Sequence, residues 1–261
     1  GPVPVHRTAE NGNPYLMTVF RNTAFYILSM VFTVWAFCAG WLFLAAVRIF
    51  RPRRVVLRLL RRLIVWYGKA VIFGLGRIVG RVRFIDSAKG KRADDPCVYV
   101  VNHRAASDAF LMAVLPGEFV QVVNIWPFKL PILGVCAKLA GYISVREMPF
   151  DEFLELTRNL AEQNVSIVSF PEGTRSGTSR IGHFHSGVFR AAMANGLNVV
   201  PVCILGSEDK PGRGSLLIRP GEIHVHMLPA IRPPEYRGMS AFAFKNLVRQ
   251  TMQDFIDRHE K

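Results

Sequence analysis

Hydrophobic and polar positions divide the chain into two unlike parts. From residue 24 to residue 47 there is no charged side chain in 24 positions. As a helix that run spans about 36 Å, enough to cross a hydrocarbon core of about 30 Å. Trp35 and Trp41 lie inside it, and Arg48, Arg51, Arg53 and Arg54 follow it. The pattern predicts a transmembrane helix whose basic end stays cytoplasmic. A hairpin that enters one leaflet without crossing satisfies the same pattern. Residues 55–73 predict a second helix, with Arg58, Arg61, Arg62 and Lys69 near one face and Leu59, Leu60, Leu63, Ile64, Trp66 and Val71 elsewhere. Such a helix suits a lipid interface or packs on the following domain.

From residue 97 the periodicity changes. Short apolar runs at 97–101, 119–123, 142–145, 165–170 and 199–205 read as strands. Between them, 108–115, 128–139, 151–163 and 187–195 read as helices, the first stopped by Pro116-Gly117 and the last by Gly196. Residues 216–219 and 223–228 suggest a hairpin around Pro220-Gly221, and Ser240 can cap a last helix. Strands alternating with helices predict an α/β domain: a mixed central sheet flanked by helices, preceded by a transmembrane or membrane-embedded segment. Four regions follow. Residues 1–16 open with Gly1-Pro2, like a protease-cleavage scar, and Met17 suits a native start. Residues 17–54 are the anchor with its basic flank, 55–92 a basic amphipathic interfacial segment, and 93–261 the α/β domain.

Charge sharpens this division. The net charge is +14, and from Arg48 to Arg92 there are 14 Lys and Arg against the single acid Asp86. That block leaves only +1 for the rest of the chain. A basic block beside a membrane anchor faces lipid phosphates rather than nucleic acid, and the recognition motifs of nucleic-acid modules are absent. Cys38, Cys97, Cys136 and Cys203 form no C-x-x-C pair, so neither a disulfide framework nor a zinc knuckle is indicated. Gly74-Leu75-Gly76-Arg77-Ile78-Val79-Gly80 has the wrong spacing for a dinucleotide fingerprint. Close helix packing through Gly76 and Gly80 is the reading adopted for it.

Two segments carry chemistry. In Asn102-His103-Arg104-Ala105-Ala106-Ser107-Asp108, a histidine ends a buried strand and an aspartate starts a helix five residues on. Strand C-termini open on the crevice where α/β proteins place ligands. An aspartate on one ring nitrogen fixes the tautomer and leaves the other free to take a proton. A structural histidine, with Asp108 as a helix cap, is the alternative. Ser107 reads as an N-cap rather than a nucleophile. In Phe170-Pro171-Glu172-Gly173-Thr174-Arg175-Ser176, Gly173 allows close backbone approach and Arg175 offers a fork suited to phosphate. His183 with His185, and His224 with His226 beside Glu222, raise a metal question, but convergence of three ligands is not apparent and no metal is assigned.

Together these segments resemble the glycerol-phosphate and lysophospholipid acyltransferase family. Gly141-Tyr142-Ile143-Ser144-Val145-Arg146 and Val199-Val200-Pro201-Val202 resemble two further family blocks, in the family's order. The resemblance implies direct O-acyl transfer with His103 as base and Asp108 as its orienter. It implies an acceptor site from Arg146, Glu172, Gly173, Thr174 and Arg175. It implies acyl-CoA or acyl-acyl-carrier-protein as co-substrate, with no bound cofactor. The expected acceptor is a lysophospholipid, foremost 1-acyl-glycerol-3-phosphate giving phosphatidic acid, with another lysolipid or lipid-linked acceptor as the alternative. Anionic membrane lipids are the expected partner, and the expected location is the cell membrane with the catalytic domain cytoplasmic. A non-catalytic membrane-anchored lipid binder is the competing class. Residues 104–107 are small or basic where many family members carry an aromatic, and His185 stands where a lysine is common.

Overall fold

The computed structural model describes residues 13–87, 95–123, 126–144, 148–212 and 214–260. Helix α1 (Pro14–Phe50) is capped by the Asn13 side chain on the Tyr15 N–H, so it starts three residues before Met17. Residues 1–12, most of the expected cleavage-scar tail, lie outside the described residues. By length and composition α1 could cross a membrane, an 18-residue stretch of it having a mean hydropathy of 2.1. Helix α2 (Arg53–Lys69) returns beside it and runs through a π turn (Ala70–Gly74) and a 3-10 turn (Leu75–Ile78).

Strands β1 (Arg81–Asp86), β2 (Cys97–Val101), β3 (Phe119–Val123), β4 (Ile143–Ser144), β5 (Ser166–Ser169), β6 (Asn198–Leu205) and β7 (Glu222–Met227) form one sheet in the order β1-β7-β6-β2-β5-β3-β4. All neighbours are parallel except β6 and β7. The sheet is therefore mixed, as the alternating pattern predicts. Helices α3 (Asp108–Leu111), α4 (Leu133–Leu139), α5 (Phe150–Glu162), α6 (Gly187–Ala194), α7 (Pro233–Tyr236) and α8 (Ala241–His259) complete the order. The central strands are buried on both faces, which is why they read as unbroken apolar runs. Val98 and Val100 of β2 pack into one core with Phe189 and Phe244, while Tyr99 and Val101 pack into the other with Met112 and Ile204.

Four expectations need correction. Strand β1 lies in the sheet, so the α/β domain starts near Arg81 rather than at residue 93. Its alternation of outward Arg81 and Arg83 with half-buried Val82 and Phe84 was hidden within the basic block. The hairpin at 216–228 does not form. β7 pairs with β6 and β1, and the preceding segment binds α1 instead. Pro131 divides the helix predicted at 128–139 into a 3-10 turn (Trp126–Lys129) and α4. The glycine run is no helix-packing stripe: a Cβ on Gly80 would meet the Gly221 carbonyl oxygen at 2.9 Å, where β1 starts beside β7.

The α1–α2 hairpin lies along the domain. The Asn22 amide donates to the Ile218 carbonyl (3.0 Å) and accepts from its N–H (2.8 Å). The Tyr26 hydroxyl donates to the Leu216 carbonyl (2.6 Å), and Arg21 donates to the Ile78 carbonyl. On α2, Arg61 donates to the Ala140 carbonyl (2.8 Å) and pairs with Glu118 (2.9 Å). Between this hairpin and the sheet domain runs an apolar groove of about 510 Å³, lined among others by Trp41, Leu44, Leu63, Ala106, Phe110 and Leu133.

Candidate functional site

The segment after β2 is held from three sides by side chains whose own polar atoms are thereby satisfied. Asn102 exchanges two hydrogen bonds with the backbone of Ile204 (2.7 and 3.0 Å), fixing the end of β2 to β6. The His103 N–H donates to Glu172 Oε1 (2.8 Å), and its carbonyl accepts from the Ser176 N–H (2.8 Å) and hydroxyl (3.1 Å). Glu172 Oε2 accepts from the Gly182 N–H (2.8 Å). The two motifs thus meet through the backbone of His103.

Asp108 is fully buried at the start of α3. Its Oδ2 accepts from the Arg104 N–H (2.6 Å), the Ala105 N–H (2.7 Å) and His103 Nδ1 (2.9 Å). A carboxylate in that place puts the ring proton on Nδ1 and leaves the Nε2 lone pair available. The His103 side chain keeps 20% exposure, and its ring lies 4.7 Å from that of Phe170, centroid to centroid. No hydrogen bond engages Nε2 among the described residues. A buried carboxylate, an oriented imidazole and an exposed ring edge can take a proton from a bound hydroxyl.

The expected acceptor residues separate. Glu172 is buried with both oxygens on backbone amides, so it clamps the loops; burial raises its pKa, against the two amides and His103. Gly173 sits at φ +67, and a Cβ there would come within 3.3 Å of the His185 ring. Thr174 and Arg175 are exposed on the same loop. Arg146 lies outside the described residues. Ser107 makes no capping bond: its own backbone is already helical (φ −69°, ψ −19°), and the Phe110 and Leu111 N–H groups bind its carbonyl instead. The histidine pairs converge on no metal: among the described residues there is no group of three ligands. His183 Nε2 instead meets Lys245 Nζ (3.0 Å), and His224 meets Glu222 (3.1 Å).

Sequence reasoning missed Arg104. Its side chain is 1% exposed and pairs with Glu208 after β6 and with Glu260 at the end of α8, one contact to Glu260 being 3.2 Å. It joins the His103 loop to two distant segments. Only the charge at position 104 was visible in advance; its partners lie about a hundred and more residues away.

The sequence model of the Acyltransferase family matches residues 81–205. The chain is 33% identical over 144 residues to a 1-acyl-sn-glycerol-3-phosphate acyltransferase of Limnanthes alba, covering 53% of this chain and 51% of that protein. It is 32% identical over 118 residues to a chloroplastic 1-acyl-sn-glycerol-3-phosphate acyltransferase of Arabidopsis thaliana, covering 44% and 33%. A Salmonella typhimurium enzyme of the same name is 28% identical over 144 residues, covering 53% and 58%. The chain thus spans a third to somewhat over half the length of these relatives. The crystal structure of the 1-acyl-sn-glycerophosphate acyltransferase PlsC from Thermotoga maritima superposes with a TM-score of 0.75 at 17% identity, covering 95% of this chain and 98% of that one. At that identity the superposition establishes a common fold.

Proposed function

We propose that this chain transfers a fatty acyl group from a thioester to the hydroxyl of a lysophospholipid, a reading supported by the match of residues 81–205 to the Acyltransferase family model. The observation that carries this is the 2.9 Å contact of His103 Nδ1 with buried Asp108, beside the Glu172–Ser176 loop. His103 Nε2 takes the acceptor's hydroxyl proton as the oxygen attacks the thioester carbonyl. The tetrahedral adduct collapses, the C–S bond breaks, and the departing thiolate receives the proton from the imidazolium. An ester and a free thiol result, with no acyl-enzyme. Orienting the two substrates supplies much of the rate, since effective molarities reach about 10⁵ M or more.

The acceptor is 1-acyl-glycerol-3-phosphate and the product phosphatidic acid, the acceptor that the relatives' names carry. In this reading exposed Arg175 and Thr174 meet its phosphate, and the apolar groove reaching Ala106 and Phe110 is a path for acyl chains. The donor is acyl-CoA or acyl-acyl-carrier-protein, and the transfer needs no bound cofactor. Purified protein in lipid, given a panel of lysolipids and both donor types, tests this by mass spectrometry of the products. Phosphatidic acid from wild type and its loss in His103→Ala support the reading; a folded wild type inert on every pair defeats it.

The domain works at the cytoplasmic face of the cell membrane, with the α1–α2 hairpin immersed in one leaflet. How α1 is held supports this placement over the transmembrane helix first expected. Asn22 binds the domain, and Leu44 is buried in the groove. These points lie about 33 Å apart on the helix axis, so a crossing α1 would carry the domain into the hydrocarbon. Cysteines placed at Met17 and Arg51 should both be labelled from the same side of sealed vesicles. Labelling from opposite sides contradicts the one-leaflet placement.

A further inference from the structure

Outside the His103 region, a cleft beside α2 carries an excess of positive charge on the hairpin proposed above to meet the bilayer. It measures about 440 Å³ and lies between α2 and two turns of the domain, lined by Arg58, Arg62, Gly117, Glu118, Gln163 and Asn164. Glu118 is already met by two guanidinium groups, Arg61 at 2.9 Å and Arg58 at 3.2 Å. Arg62, one turn beyond Arg58, has no ion pair among the described residues. Three guanidinium groups thus surround one carboxylate. Asn164 adds an exposed amide on a left-handed turn (φ +59), and the space beside Gly117 is open.

The helical arrangement sets the depth of this cleft. At about 100° per residue, Arg62 lies between the direction of Arg61, which faces the domain, and that of Trp66, which is 50% exposed beside Phe32. An exposed tryptophan on an amphipathic helix sits at the lipid interface. The arginine pair therefore stands at the level of the headgroups, with guanidinium geometry suited to phosphate oxygens.

We propose that this cleft binds the phosphate of an anionic membrane phospholipid, as a docking site separate from the His103 site. The proposal rests on the one-leaflet placement of the hairpin. The lipid bound here is not consumed. It holds the middle of α2 against the bilayer, at the end of the sheet opposite His103, because Glu118 precedes β3 and Asn164 precedes β5 whereas His103 follows β2.

Vesicle flotation of the full chain tests it, using phosphatidylcholine alone and phosphatidylcholine with phosphatidylglycerol. Removing any one interfacial arginine should weaken binding to the anionic vesicles about fivefold, and Arg51→Gln at the hairpin tip measures that general effect. Arg62→Gln should lose several times more than Arg51→Gln on anionic vesicles and nothing on neutral ones. Asn164→Gly keeps the charge and suits the left-handed backbone, and should still lower anionic binding about two- to threefold, the scale of one hydrogen bond. Acyl transfer in neutral detergent micelles should be unchanged in both variants. Equal losses in Arg62→Gln and Arg51→Gln overturn the site, and so does an unaffected Asn164→Gly. Displacement of the anionic vesicles by millimolar inorganic phosphate, with no lipid preference left, reassigns the cleft to free phosphate and also overturns it. Failure of wild type to float with either vesicle removes the membrane placement itself, a result distinct from loss of the cleft alone.

Discussion

The loop after β2 and the α1–α2 hairpin treat polar atoms in opposite ways. In the loop, Asn102, Glu172, Asp108 and Ser176 turn inward and spend their hydrogen bonds on backbone, leaving one edge of His103 exposed. On the hairpin, polar contacts are few and far apart, and large apolar side chains such as Leu42, Ile49 and Phe50 are more than 70% exposed. A soluble surface does not keep such an apolar patch. Under the proposed function, chemistry sits on a rigid, internally satisfied element and adhesion on an apolar surface that lipid would complete. That division also orders the experiments.

The largest effect belongs to the loop. His103→Ala should fold as wild type and lower turnover roughly 10²–10⁴-fold through lost base catalysis; initial rates with circular dichroism as the folding control check it. Next is Arg104→Ala, which leaves Glu208 and Glu260 facing a vacated buried position. Loss of one partner of a buried ion pair costs about 3–5 kcal/mol, measurable by denaturant unfolding, and a change below about 1 kcal/mol would deny Arg104 its joining role.

A weaker effect belongs to the hairpin. Asn22→Leu removes two hydrogen bonds to Ile218 and should cost about 1–3 kcal/mol. It should free α1 from the domain, read as faster amide exchange at residues 216–218, while the His103 geometry persists. If turnover in micelles collapses with it, the two regions are not separable.

The smallest effect is a pH dependence on β7. Burial first, then the charges of His259 and His224, lower the His226 pKa from 6.5 to about 4. His226 stays neutral in the fold while the unfolded chain protonates below about 6.5. Its contribution is therefore present above that pH and is lost as pH falls from 6.5 towards 4. Glu222 beside His224 and Phe255 stacked on His259 complete its surroundings. His226→Gln should flatten the stability profile over that window, and an unchanged slope assigns the dependence to other groups.

How much of this was legible in the sequence depended on the range of the interaction. The buried strands and α5, α6 and α8 were legible because burial on both faces, or on one helical stripe, writes a periodic pattern into consecutive residues. His103 and Asp108 were legible because five residues separate them. β1 was not, since its outward arginines merged with the neighbouring basic block. The Glu172 clamp and the Arg104 triad were not, since their partners come from remote segments and no local pattern encodes them. The binding of residues 216–218 to α1 was illegible for the same reason, and Pro220-Gly221 suggested a hairpin in its place.

The central claim is that His103 takes the proton from the acceptor itself. It is tested most directly by following free-thiol release from an acyl-CoA with and without lysophosphatidate, in wild type and in folded His103→Ala. The account predicts that release requires the acceptor, matches phosphatidic acid one to one, and falls roughly 10²–10⁴-fold in the variant. A burst of thiol without acceptor, or a variant as fast as wild type, contradicts it.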